Sequence, residues 1–269
     1  MKKSEGRLRT KRAFPRVLPI VMPVIGLACL LGVPASSANA EEWEWELSIY
    51  VWASDASLDA SIDDTEVSGI KADFGELIKK LDIIVPLHFD GRRGRTGFFA
   101  QLDYVGLSDE KTYIGSPGIT DGIRTRTGLE QLIVELGGFY EIREDGGLDV
   151  LFGFRLLEFS LDVDLDFPIG DDRSLSQDQS LLDGFAGLRY RGDIGERWSW
   201  WARADAGTGG TEMSLQATAG VALKLGRKRD DALWIGYRHL QFEIEESGRG
   251  IAEKDLALSG PILGYRFGF

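Results

Sequence analysis

Cysteine is nearly absent: Cys29 is the single one in 269 residues, so no internal disulfide can form. Two histidines leave little from which to build a zinc site of the usual His/Cys kind. Basic charge is short as well. The chain carries 31 Lys/Arg against 43 Asp/Glu, a net charge of −12, which speaks against wholesale nucleic-acid binding, because phosphate affinity needs clustered cations. Beyond Val33 no apolar run is long enough for a membrane-crossing helix. Walker, Rossmann and HExxH patterns are missing too. What the chain has is 43% hydrophobic residues, 10% aromatics and 34 glycines, ample material for a folded body and far from a disordered composition.

Organisation starts at the N-terminus. Lys2, Lys3, Arg7, Arg9, Lys11, Arg12 and Arg16 form a basic leader, followed by the apolar run Val17 to Val33 and the small-residue stretch ending Ala38-Asn39-Ala40. This order predicts a signal peptide over residues 1–40, cleaved before Glu41, and a mature domain over 41–269. Pro19, Pro23 and Gly26 interrupt the run and disfavour a retained anchor. Cys29 lies inside it, without the aliphatic residue three positions earlier that lipidation wants. The mature part has no cysteine, as befits an exported protein independent of disulfides.

From Trp43 onward the apolar period is two. Trp43, Trp45, Leu47, Ile49 and Val51 alternate with Glu44, Glu46, Ser48 and Tyr50. The same rhythm recurs at Leu132 to Ile142, Leu182 to Tyr190 and Met213 to Leu225, the mark of strands with one apolar and one polar face. Which face is buried decides between a soluble sandwich and a membrane barrel. The polar faces hold full charges, among them Arg155, Arg189, Arg203, Asp205, Arg238 and Arg266, which a polar lumen tolerates and an apolar core does not. Aromatics of the other face gather at strand ends: Trp43, Trp45, Tyr140, Tyr190, Trp198, Trp200, Tyr265 and Phe267. Connectors alternate long and short, with Thr208 to Glu212 the one short exception among the long ones. The expectation is therefore all-β: a single antiparallel transmembrane β-barrel of ten strands, with both termini periplasmic in the outer membrane of a Gram-negative bacterium. Ser57 to Gly69 can extend the first strand or add a hairpin, so eight and twelve strands stay open. Long external connectors are expected over Ser54–Lys80, Ser108–Gly128, Pro168–Ser180 and Glu245–Glu253.

The chain ends on Leu263, Tyr265, Phe267 and Phe269 of one face, a row that resembles the signal read by the outer-membrane assembly machinery. Trp45-Glu-Leu-Ser-Ile-Tyr-Val-Trp52, Trp234-Ile-Gly-Tyr-Arg-His-Leu240 and Gly260-Pro-Ile-Leu-Gly-Tyr-Arg-Phe-Gly-Phe269 are similar to proteobacterial outer-membrane β-barrel proteins of the small OmpA-like and porin-like kind. That resemblance implies fold and location rather than a reaction.

Features that could carry function are few. Phe74, Leu77, Ile78 and Leu81 at helical spacing, with Asp73 and Glu76 as a capping box, predict a short amphipathic helix in the first external loop. Asp162, Asp164 and Asp166 form a weak candidate for a hard cation, though a solvated acidic rim is the plainer reading. Asp103, Glu135, Asp183, Arg189, Arg203, Asp205, Arg238 and Arg266 read as a lumen charge network, structural in a narrow ten-stranded interior or selective as an eyelet. Barrel enzymes such as lipid A deacylases and omptin-type proteases need a histidine with hydroxyl or carboxylate partners. His88 falls on the inner face and His239 on the outer, with no neighbour that spacing singles out. No cofactor and no catalytic residue is expected. The expected partners are outer-membrane lipid, lipopolysaccharide and the assembly machinery, with no nucleic acid. The first function expectation is a narrow channel for small solutes. Its rivals are a non-conducting barrel acting through its external loops and, third, a barrel hydrolase.

Overall fold

The structure, a computed structural model, describes residues 42–62, 65–72, 75, 79, 81–113, 123–143, 147–166, 173–225, 231–248 and 251–269. The expected signal peptide and most of the expected helix over Asp73–Leu81 lie outside the described residues. Among the described residues there are twelve strands: β1 (Glu44–Trp52), β2 (Asp55–Ile62), β3 (Thr65–Ala72), β4 (Leu81–Arg93), β5 (Thr96–Tyr113), β6 (Ile123–Glu141), β7 (Leu148–Asp166), β8 (Arg173–Ile194), β9 (Trp198–Gly209), β10 (Met213–Lys224), β11 (Ala232–Gly248) and β12 (Ile251–Gly268).

Each strand from β4 to β12 pairs antiparallel with the next, and β1 closes the ring by pairing with both β4 and β12. β2 also pairs with β12, beyond the stretch taken by β1, and β3 folds back on β2. β1 and β2 are thus two pieces of one stave, and the barrel has ten staves. The segment Ser57 to Gly69, open in the sequence, does both things at once: it lengthens the first stave and adds a hairpin. The break at Ala53 and Ser54 faces Gly260 and Pro261 of β12. Pro261 has no N–H to give to a ladder, yet its carbonyl accepts from the Ala53 N–H at 2.9 Å. A Cβ at Gly260 would come within 2.0 Å of the Ala53 carbonyl oxygen, so the chain passes here only because residue 260 lacks a side chain.

Side chains alternate as the period of two requires, and the barrel is turned inside out relative to a soluble protein. Ile49, Val51, Leu136, Phe152, Phe154, Leu182, Leu188, Ile235 and Leu263 point outward and are about half exposed or more. Ser48, Asp90, Glu135, Asp149, Arg155 and Arg238 point inward and are buried. Tyr104 and Leu132, opposite each other on β5 and β6, are buried on the outward parity. An apolar outer wall around a charged interior, on strands closed so that no edge is left in the belt, is a transmembrane barrel of the outer-membrane kind. A group of outward aromatics falls at one end, here called the lower end, which also carries the chain terminus Phe269. Trp43 stacks on Trp45 at 5.1 Å, Tyr190 lies against Trp200 at 4.8 Å and Tyr265 against Phe267 at 4.6 Å. One turn there is the two-residue hairpin Gly94-Arg95, with Gly94 at φ +56°, a conformation that glycine adopts without strain.

The strands run higher than expected. β5 reaches Tyr113, β6 starts at Ile123, β8 starts at Arg173 and β12 starts at Ile251, so much of the length expected as loop is ladder. The physical reason is that apolar alternation reports the membrane belt. Above it the sequence is polar at both parities, as in Asp109-Glu110-Lys111-Thr112 against Arg126-Thr125-Arg124, and the pattern fades while the pairing continues.

Candidate functional site

The interior is stacked in layers, ordered by the run of each strand. Lowest is a ring of exchanged charges. Arg92 donates to Glu141 at 2.8 Å and to both Asp149 oxygens at 2.8 Å. Arg189 donates to Asp149 Oδ2 at 3.0 Å and to Asp90. Nearest the mouth, Glu46 stands between Arg191 at 3.4 Å and Arg266 at 3.6 Å.

Above this ring, on the β5–β8 side, sits an aromatic slab of Phe99, Phe139, Leu151 and Phe185. Guanidinium groups lie on both its sides: Arg189 is 4.4 Å from the Phe139 centroid and Arg155 is 5.0 Å from that of Phe185. Such contacts stabilise a desolvated cation by about 0.5–2 kcal/mol each.

The middle layer holds three carboxylates and three guanidiniums. Arg155 donates through Nε to Glu135 at 2.8 Å, through Nη2 to Asp205 at 2.5 Å and through Nη1 to Ser214 at 3.3 Å. Arg203 reaches Asp205 at 2.7 Å and Glu135 at 2.8 Å. Arg238 donates to Gln216 at 2.8 Å and to Asp103 at 2.7 Å, and its charge lies 4.4 Å from the Trp52 ring centroid. Tyr50 donates its hydroxyl to Asp103 at 2.5 Å. All six charged groups are at most 9% exposed, so each depends on its partners rather than on water.

The upper layer is apolar. Trp52, Ile133, Leu157, Leu240, Phe242 and Leu258 form one buried cluster, contributed by β1, β6, β7, β11 and β12. Leu240 and Phe242 stand on β11 directly above Arg238, and Ile133 and Leu157 stand above Glu135 and Arg155. A polar lumen throughout, the sequence expectation, therefore requires correction. The inward face changes from charged to apolar along single strands, because above the charge layers the interior packs against itself. In the sequence, Leu240, Phe242 and Ile244 continue the parity of Arg238, a signal that was there to read.

Seven of the eight expected lumen charges are placed in these ion pairs. Asp183 stands apart: it accepts from the Thr211 N–H at 2.8 Å and from the Thr211 hydroxyl at 2.6 Å, and so holds the β9–β10 turn. Asp90, Arg92 and Asp149 belong to the interior and were not singled out, although each lies on the same parity as a residue that was, His88 or Arg155; Tyr50 was read on the polar face but given no partner. The carboxylates of β7 follow another logic. Asp164 and Asp166 stand at register positions opposite Arg126 and Arg124 of β6, and Asp162 opposite Gly128. Among the described residues no group of three His, Cys, Asp or Glu is placed to hold a metal ion.

The two histidines sit on opposite faces. His88 lies 3.3 Å from Gln101 and 3.6 Å from Asp90. His239 Nδ1 lies 2.6 Å from the Ser259 hydroxyl on the outer wall, a neighbour that spacing alone did not reveal. A cavity of about 140 Å³ occupies the lower half of the interior, with Arg189, Arg203, Arg238, Tyr50, Trp201 and Trp234 in its wall.

No family model matches the chain, and no curated protein matches it. Among solved structures it is similar to Ail, the attachment invasion locus protein of Yersinia pestis, at 12% identity over 85% of this chain and 99% of that one, TM-score 0.35. It is also similar to the outer membrane protease OmpT of Escherichia coli, at 9% identity over 87% and 99%, TM-score 0.40. The Pseudomonas putida toluene transporter TodX aligns at 11% identity over 86% and 90%, TM-score 0.32. Scores of this size carry no argument about activity.

Proposed function

We propose that this chain is an outer-membrane barrel that is closed to solute flow and acts through the surfaces at its two ends. The observation that carries this reading is the apolar cluster of Trp52, Ile133, Leu157, Leu240, Phe242 and Leu258 above the paired charges. A conducting pore needs a continuous polar path with sites weak enough to leave. Here an ion leaving the middle layer would have to cross a zone packed like a protein core, with Leu240 and Phe242 fully buried. The narrow channel expected from the sequence is therefore the lesser reading.

In this reading the lower end, which carries Phe269 and its aromatic row, faces the periplasm, and residues 1–40 are the export signal. The outward row Leu263, Tyr265, Phe267 and Phe269 serves as the assembly signal. Phe269 is 70% exposed while its backbone is fixed to Trp45 by two hydrogen bonds of 3.0 and 3.1 Å, which leaves the ring available to a partner. Lipid contacts the outer wall, and the tall polar strands above the belt are the surface offered to the outside. Hydrolysis gains no support from position: the His239–Ser259 pair lies on the outer wall and the His88–Asp90 pair in the lower half of the lumen, neither at an external rim.

Swelling of liposomes in a small sugar tests the reading. Vesicles holding the refolded chain should swell no faster than protein-free ones, whereas a Leu240→Ala/Phe242→Ala variant should admit the sugar. Rapid swelling with the unaltered chain would overturn the closed barrel.

A further inference from the structure

We propose that the lower half of the interior is a binding cup for a small organic anion, one carboxylate on an apolar body of about benzene size. The cup is closed above by the apolar cluster, and the inference stands on its own observations whether or not the barrel conducts.

Size comes first. The cavity measures about 140 Å³, close to the volume that accommodates a benzene-sized guest in a protein interior. Charge comes second. Arg189, Arg191, Arg203, Arg238 and Arg266 line it, against only Glu46 and Asp90 as carboxylates. The acids that hold Arg203 and Arg238 in place, Glu135 and Asp103, stand behind them and do not reach the wall. The wall is therefore cationic although the interior as a whole is near balance. Arg189, Arg203 and Arg238 carry counter-charge from outside the wall, with Asp149 at 3.0 Å and Glu135 at 2.8 and 3.6 Å from their Nη2 atoms. These arginines are at least nine-tenths buried, and a guanidinium fork is the group best shaped to give parallel N–H bonds to a carboxylate.

Part of the same wall is of another kind. Below Arg203 and Arg238, on the same strands, Trp201 and Trp234 meet edge to face at 5.8 Å, beside Ala222 and Ile262. An apolar surface next to a few convergent donors is the usual make-up of a small-molecule site. An inorganic anion would satisfy the donors and leave the indoles uncovered; a neutral aromatic would do the reverse. Entry is from below, where Glu46 bridges Arg191 and Arg266. Those side chains are 19–27% exposed and their contacts of 3.4 and 3.6 Å are long, so the bridge is weak and an incoming carboxylate can take its place.

The test is calorimetric titration of the refolded chain in detergent micelles with benzoate, and in parallel with benzyl alcohol and inorganic phosphate. Heat-modifiable gel mobility reports folding. Benzoate should bind at one site, with the alcohol and phosphate each weaker by about tenfold or more. Ala222→Leu, which fills the cup without altering a charge, should weaken benzoate by about tenfold, and Glu46→Gln should tighten it by removing the carboxylate that competes for the two mouth arginines. Any of three results would overturn the proposal: no saturable benzoate binding by the folded chain, phosphate binding as tightly as benzoate, or a folded Ala222→Leu variant that binds benzoate unchanged. Glu46→Gln decides the matter if Ala222→Leu fails to fold, since unaltered or weaker benzoate binding there also contradicts the cup.

Discussion

Replacing Arg155 with methionine should be among the most damaging single changes this barrel can suffer. Arg155 is 1% exposed and its guanidinium spans the interior from Glu135 on β6 to Asp205 on β9. The middle layer balances Arg155, Arg203 and Arg238 against Glu135, Asp205 and Asp103. Methionine keeps most of the volume beside Phe185 but leaves three carboxylates facing two cations, away from water. Breaking one member of such a set costs about 3–5 kcal/mol. If charge balance is the cause, Arg155→Met/Glu135→Gln should recover much of it. That pair removes one charge of each sign, and the amide oxygen introduced in place of the Glu135 carboxylate can still accept from Arg203. The double variant should therefore lose only about 1–2 kcal/mol. The assay is urea unfolding of the refolded barrel in micelles, followed by tryptophan fluorescence and gel mobility, for the four members of the cycle. A single variant within about 1 kcal/mol of the parent would refute the reasoning. So would a double variant whose loss equals the sum of the two single losses.

Other outcomes follow from the same geometry. Arg238→Leu should lower stability by less than Arg155→Met, because Asp103 keeps the Tyr50 hydroxyl at 2.5 Å and the Gln101 amide at 2.9 Å; the same unfolding assay ranks the two. Phe154→Arg, at a position 64% exposed on the outer wall, should cost about 2–4 kcal/mol in lipid vesicles, whereas Glu196→Arg in the exposed β8–β9 turn should stay within about 0.5 kcal/mol. Phe269→Ser should leave refolding in micelles unchanged, since the ring projects outward and the backbone makes the contacts; in cells, by contrast, the assembled fraction should fall severalfold if the terminal row is an assembly signal.

Most of the barrel was legible because the membrane imposes its own code. Where lipid lies outside and charge inside, every strand must alternate, and the parities of Ile49, Leu188, Ile235 and Leu263 could be read residue by residue. Three things were not legible, each for a physical reason. Strand ends above the belt carry polar residues on both faces, so Asp109 to Tyr113 and Arg173 to Gln179 read as loop. The break between β1 and β2 depends on the pairing of Ala53 with Pro261, residues about two hundred positions apart, which no local pattern reports. The upper apolar cluster is hidden by a premise: equating inward with polar conceals Leu240, Phe242 and Leu258, which are inward and apolar. For the candidate site, the types and parity of Arg189, Arg203 and Arg238 were visible in the chain. Their partners were not, because Arg238 with Asp103 and Arg189 with Asp90 join distant strands across the lumen.

The closed barrel is tested most directly by single-channel recording of the refolded chain in a planar bilayer, with heat-modifiable mobility as the control for folding. The account predicts a silent trace from the unaltered chain and discrete openings once Leu240 and Phe242 are both reduced to alanine. Steady openings from the unaltered, demonstrably folded chain would contradict it, and would return the lumen arginines to the role of a selective constriction.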